Sequence, residues 1–493
     1  MILLCLSSIC AVLVILLARE IHRTAIYWKN KGIPYESYFS YLWYFLFRQS
    51  RVDIFDSLED YTEKYGSVYG TYQGLSPVLR VSSRESLTEA LSKNFSKAHG
   101  RTVAAKTGST LWDNNILVLG YKEWRAVRPL SGHVLTGLKL KQMKPQLERA
   151  AERLTTKLRK LAKSNKEIST AEYSHAAVMD GIAAVTFSLE VDALDDPNNV
   201  FVKNCTGLFS SSLGLTLMMA FPGLLEYVPF IQFPEKRAEQ FFVEFSRTVL
   251  EQRRKQGRKS ETSDILDSWL EAQETNPEFT DVMLVAQMFV FFLAGFETSA
   301  YTLMFIMYLL ATHPQKQEEV YQDIIENISD PDNVTFEEYN KMRLVEAAIY
   351  ETLRLYPTDY VIDRRVVEPC TVAGVPLDKG IAIQVPTSAV NRDPERFHEP
   401  THFKPERFVD GGERIQDVIT FGEGPKNCVG QRFAIFQLLI FTVAILRTVR
   451  LEPVVNKAYD PSREYQAPIE RLPGQMFLPF PKETLKVKLS PRN

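Results

Sequence analysis

The residue best placed to do chemistry is a cysteine. Cys428 lies in the segment Phe421-Gly422-Glu423-Gly424-Pro425-Lys426-Asn427-Cys428-Val429-Gly430, directly before an apolar helical run that begins at Phe433. A lone cysteine is ordinarily an inert, buried small hydrophobe. A glycine-bearing loop at a helix start changes that expectation. Backbone N–H groups and the positive end of the helix stabilise a thiolate there. Gly424 and Gly430 allow the backbone to wrap closely around one atom. A thiolate presented in this way beneath a flat apolar site is suited to be an axial ligand of haem iron. The Gly422/Gly424 pair does not make a dinucleotide loop, because the position of the third glycine is Asn427.

Other spacings point to elements that would position this loop. Glu351 and Arg354 are three apart and share one helical face, and Pro405-Glu406-Arg407-Phe408 supplies a second arginine. Glu351 and Arg354 alone read as a surface pair of little energetic weight. Trp124 and Arg128 are four apart on a helix, again on one face. From Asp281 to Thr312 the chain is almost wholly apolar, bounded by Asn276-Pro277 and His313-Pro314. Such a helix is about 48 Å long and must run through the centre of a folded body. Gln287 and Glu297 oppose a membrane span here, since a carboxylate in lipid is costly. Within it, Thr298 reads as a helix hydroxyl bonded back to the carbonyl of Ala294.

Together these segments resemble the cytochrome P450 family. Phe421 to Gly430 resembles its haem-ligand signature, and Glu351-Thr352-Leu353-Arg354 its Glu-x-x-Arg helix. The resemblance implies a buried charged cluster of Glu351, Arg354 and Arg407 beneath the ligand loop. It implies haem b with Cys428 as the iron ligand, and Trp124, Arg128, Arg364 and Lys426 around its propionates, with Arg365 as a substitute for Arg364. At 426 the family often has arginine. Ala294-Gly295-Phe296-Glu297-Thr298 resembles the oxygen-activation motif, with Gly295 leaving room for dioxygen, Thr298 donating to the distal oxygen and Glu297 relaying protons. Lys31-Gly32-Ile33-Pro34, Tyr65 to Gly70 and Lys93 to Lys97 resemble the animal group that includes broad-specificity drug-oxidising enzymes and thromboxane synthase. Two departures stand out: only Pro34 remains where the family has a proline-rich hinge, and Asn391 replaces a histidine.

Composition bounds the remaining choices. The chain has 493 residues, with Lys+Arg 58 against Asp+Glu 60, which excludes a globally basic nucleic-acid binder. Its five cysteines show no CxxC spacing, so neither a zinc site nor a disulfide framework is expected. Residues Met1 to Ala18 are uncharged, and Arg19, His22, Arg23, Lys29 and Lys31 follow with only Glu20 opposing. This asymmetry predicts an uncleaved anchor with everything after residue 20 on the cytosolic side. The Asn94, Asn204, Asn327 and Asn333 sequons are then chance matches. The aromatic segment 35–48 reads equally as core or as a membrane-surface belt. The apolar stretch from Gly207 to Phe233 reads either as ordinary core or as a loop dipping into the membrane to admit apolar substrates. Residues 66–82 read as a β-hairpin, and 362–386 as short strands broken at Gly374, Pro376 and Gly380.

The expected organisation is an anchor over 1–20, a hinge with the aromatic segment over 21–48, and a catalytic domain over 49–493. The fold implied is mostly α with a small β region. The activity implied is monooxygenation of an apolar small molecule or lipid at the endoplasmic-reticulum membrane, with dioxygen as co-substrate. No flavin or nicotinamide motif is present, so electrons must come from an NADPH-dependent flavoprotein reductase, with cytochrome b5 as an optional second partner. Arg125, Lys139 and Lys426 are the candidate basic residues for docking the reductase. Two other classes stay open: a haem-thiolate isomerase acting on a lipid peroxide, and a haem-binding protein without turnover.

Overall fold

The computed structural model describes residues 2–48, 54–101, 107–164, 166–196, 198–207, 236–256, 264–276, 278–409, 411–455, 469, 471 and 478–492. Its axis is the helix Asp281–Thr312. Thr280 caps it, accepting from the Met283 N–H, and the next helix starts at Pro314. The long helix packs along Thr170–Phe187 and against Gln431–Thr448. By length and composition alone Asp281–Thr312 and Gln431–Thr448 could each cross a membrane, yet both are mostly buried inside the protein. The buried Gln287 is fully engaged. It accepts from the Ile116 N–H at 2.9 Å and donates to Asn114 O at 2.9 Å and Met283 O at 3.0 Å. A polar side chain in this core is therefore satisfied rather than stranded.

The β structure is small. Strands β1 (Val68–Gln73), β2 (Ser76–Val81), β4 (Val361–Arg365) and β7 (Ala382–Pro386) form one sheet in the order β1-β2-β7-β4. β1 and β2 are the expected hairpin. β2 runs parallel to β7, and β4 antiparallel to it. Strands β5 (Cys370–Val372) and β6 (Val375–Leu377) form a separate hairpin turning at Gly374. Pro376 lies within β6 rather than breaking it, as a two-stranded edge permits. Strands β3 (Ile168–Ser169), β9 (Lys486–Pro491) and β8 (Val449–Pro453) make a third sheet.

A single helix, Ile2–Lys31, runs through the expected boundary between anchor and hinge. Its apolar side chains from Val12 to Leu17 are exposed where described, whereas its last two turns dock on the first sheet. Trp28 is fully buried, and its indole N–H donates to Thr71 O at 2.8 Å. A Cβ at Gly70 would stand 2.3 Å from Trp28 Cγ, so the indole fits only because that residue is glycine. Thr24 bonds Leu75 O, and Tyr27 and Lys31 hold Asp378 at 2.7 and 3.2 Å. Glu36 is buried and accepts from Tyr61 and Thr71. The segment 35–48 divides between the two expected roles. Tyr38 is buried, but Phe39 (73%), Trp43 (63%) and Leu46 (65%) are exposed. The Gly207–Phe233 stretch falls almost wholly on residues 208–235, outside the described residues.

Glu351 and Arg354, on the helix Arg343–Leu355, are both completely buried. Arg354 donates twice to the Glu351 carboxylate, at 2.7 and 2.8 Å. Arg407 donates to the same carboxylate at 3.0 Å, and the Lys404 N–H at 2.9 Å. The remaining guanidinium protons of Arg354 reach carbonyls of Asn391, Pro400 and His402, and those of Arg407 reach carbonyls of His398 and Glu399 and the Glu413 carboxylate at 2.6 Å. Asn391 then links the cluster to the cysteine loop. It accepts from the Ile419 N–H at 3.0 Å and donates to Thr420 Oγ1 at 3.1 Å.

Two substitutions test this framework. Trp28→Ala should destabilise the protein by about 3–5 kcal/mol, as for other large buried side chains. Proteolysis should then release the N-terminal helix faster; wild-type stability in thermal unfolding would refute the docking. Glu351→Ala leaves two guanidiniums without their shared carboxylate and should cost about 3–5 kcal/mol. The check is thermal stability together with cofactor content in the purified protein.

Candidate active site

The cysteine loop is held from three directions. The Cys428 N–H donates to Phe421 O at 2.8 Å, closing the loop on itself. Phe421 packs edge-on against Tyr350 of the Glu351 helix. Gly424 has φ +75°, and a Cβ there would lie 2.2 Å from Leu91 O. Gly430 is different from expectation. Its φ is −85° and a Cβ would make an ordinary 3.9 Å contact with Cys428 Sγ, so its backbone is not one that only glycine adopts. The helix Gln431–Thr448 starts immediately afterwards.

Cys428 lies deep in the protein, yet its side chain is accessible, so it opens onto internal space. Burial pushes its thiol up; the Gly430 N–H and the positive charges of Arg128 and Arg101 act in the opposite direction. The long helix shows a matching gap. Ala294 is accessible, and Gly295 and Thr298 are half-buried, in the middle of a helix otherwise packed on every side. A Cβ at Gly295 would meet Ile182 Cδ1 at 2.8 Å and Phe433 Cε1 at 3.9 Å. The glycine thus serves close packing against the helix Thr170–Phe187, in addition to any room it leaves. Thr298 Oγ1 donates to Ala294 O at 2.6 Å, the expected bond within the helix. Glu297 is buried and turned away from this gap, with Oε2 3.6 Å from His175 Nε2.

Beside Cys428 the structure gathers positive charge. Arg128, on the helix Tyr121–Val134, donates to Asn427 Oδ1 at 2.6 Å. Trp124 of that helix is buried, with Lys426 Nζ 5.2 Å from its ring centroid. Arg364 of β4 is almost wholly buried and donates to Glu423 O at 3.2 Å. Arg101 donates to Lys426 O at 3.3 Å. Burial, with Arg101 and Arg364 alongside, pulls Lys426 down to about 7. Burial and Arg101 likewise pull Arg364 down to about 10. The Nε groups of Arg101, Arg364 and Arg365 are buried without a partner among the described residues. Unpaired donors and mutually repelling cations are costly inside a protein unless an anion meets them. A group bearing two carboxylates at its edge, as haem b does, fits this donor set.

Some sequence expectations change here. Lys426 is buried, so it is not available to dock a protein partner; its ammonium is covered by Trp124 and its neighbours. Arg125 is exposed, and Lys139 is half-buried and pairs with Glu271. Arg101 belongs to no motif that the sequence shows. Its only sequence signal is a positive charge in a stretch otherwise poor in structure markers.

Comparison with known proteins now bears on the assignment. The family model for cytochrome P450 matches residues 33–473. Guinea-pig (Cavia porcellus) cytochrome P450 3A15 is 31% identical over 386 residues, covering 76% of this chain and 74% of that protein. Guinea-pig cytochrome P450 3A14 is 30% identical over 381 residues, 74% of each. Human cytochrome P450 3A7 is 28% identical over 379 residues, 74% of this chain and 73% of that protein. The chain has the mostly helical fold with a small β region that this match requires, and it belongs to the cytochrome P450 family as one of its monooxygenases.

Proposed function

We propose that this chain is a membrane-anchored enzyme that inserts one atom of dioxygen into an organic substrate and reduces the other to water. The observation that carries this reading is the anion-seeking set of Arg101, Arg128, Arg364 and Lys426 around an enclosed but accessible Cys428. Cys428 would hold the haem iron as thiolate, and the four cations with Trp124 would hold its carboxylates by charge-assisted bonds. When bound, the haem supplies activation of dioxygen, with the thiolate favouring O–O cleavage. The protein supplies position and protons. Phe421 and Asn427 fix the loop, while the buried Glu351–Arg354–Arg407 cluster holds the loop's floor. Thr298 Oγ1 gives its own proton to Ala294 O and keeps lone pairs free to accept from water. A water held there passes a proton onward. Glu297, parked on His175, is the nearest carboxylate on the same helix for resupply.

Electrons would come from NADPH through a flavoprotein reductase of the endoplasmic-reticulum membrane, with cytochrome b5 as an optional second donor. The exposed apolar turns of Ile2–Lys31, together with exposed Phe39, Trp43 and Leu46, support a membrane-bound location with the body on the cytosolic side. Arg125 remains the candidate basic contact for the reductase.

Cys428→Ser should abolish the red-shifted Soret band of the reduced carbon monoxide complex. A variant that retained the band would move the ligand elsewhere. Thr298→Ala should still bind substrate and consume NADPH, with a smaller product-to-NADPH ratio and more hydrogen peroxide. Proton-delivering groups contribute about 10²–10⁴-fold, and water partly replaces a hydroxyl, so an effect at or below the low end is expected. Turnover of a lipid peroxide by the wild type without NADPH would instead support an isomerase.

A further inference from the structure

We infer that Asp359 makes the interior site of this enzyme selective for apolar substrates that carry a protonated amine. The inference rests on the monooxygenase reading and names its substrate class.

Asp359 lies in the turn between the helix Arg343–Leu355 and β4. Tyr356 and Thr358 in the same turn are buried, but the Asp359 side chain is accessible. It is accessible without being at the outer surface, because it is enclosed by protein. Cys428 combines the same two properties, and the charges of the two residues act on each other. Asp359 therefore faces the internal space onto which Cys428 opens. Its backbone is pinned to the residue that follows β7: Thr387 Oγ1 donates to Asp359 O, and the Thr387 N–H donates to Tyr360 O at 3.1 Å. The carboxylate is thus held by a fixed backbone, the condition for a selective contact.

Among the described residues this carboxylate has no hydrogen bond and no ion pair. Arg101 feels its charge but spends a guanidinium bond on Lys426 O. Burial pushes Asp359 up to about 6, which leaves it mostly ionised at neutral pH. An enclosed, unpaired carboxylate carries a desolvation cost that no protein group relieves. A cationic ligand relieves it on binding, whereas a neutral ligand of the same shape does not. An amine held at Asp359 would fix the remainder of the substrate relative to Cys428. Selectivity follows from leaving a buried polar group unpaired when the wrong ligand enters.

The test uses the full-length, haem-loaded protein in detergent. N,N-dimethyldodecylamine and the uncharged N,N-dimethyldodecanamide are titrated against the ferric spin-state shift, with wild type, Asp359→Asn and Asp359→Glu in the same detergent. The wild type should prefer the amine. Asp359→Asn should reduce the amine-to-amide affinity ratio about tenfold or more, the scale of a hydrogen bond to a charged group, with amide binding unchanged. Asp359→Glu should retain a preference for the amine. Equal affinity of the wild type for both ligands, an unchanged ratio in Asp359→Asn, or equal weakening of both ligands would overturn the inference. The reduced carbon monoxide band, recorded on the same samples, separates the two levels. Its absence from the wild type would fail the haem reading beneath; its presence with an unchanged ratio would fail the amine inference alone.

Discussion

Two guanidiniums share one carboxylate at the base of this structure. Glu351 is completely buried, and Arg354 and Arg407 both donate to it. Burying three charges is not stabilising in itself, because desolvation offsets the Coulomb attraction. The cluster works through its geometry. Two planar guanidiniums with fixed forks reach carbonyls at 391, 398, 399, 400 and 402, which gathers an irregular stretch of chain around one point. Asn391 carries that order to Ile419 and Thr420, where the cysteine loop begins. This chain of bonds adds to the apolar contacts of Phe421 and Val429 with the core, and together they place the loop.

The cations near Cys428 follow the opposite rule. Arg101, Arg128 and Arg364 have carbonyl or amide partners rather than carboxylates, the Lys426 ammonium lies against the Trp124 ring, and the buried Nε groups of Arg101, Arg364 and neighbouring Arg365 have no partner among the described residues. A satisfied cluster specifies a fold; an unsatisfied one specifies a ligand. The contrast between the two sets, read from hydrogen bonds alone, separates scaffold from site. Lys426 shows how far this goes. An ammonium is a point charge without a fork, so it cannot bind a carboxylate as arginine does. It lies over the Trp124 ring, where cation–π attraction holds it beside the other charges.

What could be read from the sequence was whatever has a fixed spacing. The Glu351/Arg354 pair, the Trp124/Arg128 pair, the loop around Cys428 and the long apolar helix each carry a period or a glycine pattern that survives without coordinates. The hairpin over residues 66–82 was legible for the same reason. Position in three dimensions was not. Lys426 reads from its place on the cysteine loop both as a cofactor-side cation and as a docking residue, and its burial beside Trp124 removes the second role. Asn391 carried no expected role, yet it joins the cluster to the loop through bonds to residues 28 and 29 positions away. Trp28 read as part of a hinge; its burial depends on Gly70, 42 residues later, having no side chain. Such pairings are long-range, and no local pattern encodes them.

Asp359 is the sharpest case. In the sequence Tyr356-Pro357-Thr358-Asp359-Tyr360 it reads as an ordinary turn aspartate, the residue type that favours such positions. A turn is normally at the surface, where a carboxylate is free of cost. This turn instead joins a buried helix to a half-buried edge strand, and Asp359 is enclosed by protein. The consequence is an interior with opposite charges in separate places: cations grouped beside the cysteine loop, and one unpaired carboxylate facing the same space. Were the two close enough to pair, they would neutralise each other and the site would present only apolar walls. Because Arg101 is engaged with Lys426 O and makes no ion pair with Asp359, both charges stay available. On the proposed reading the cations would hold a dianionic cofactor edge, and the carboxylate would meet whatever positive charge a substrate brings.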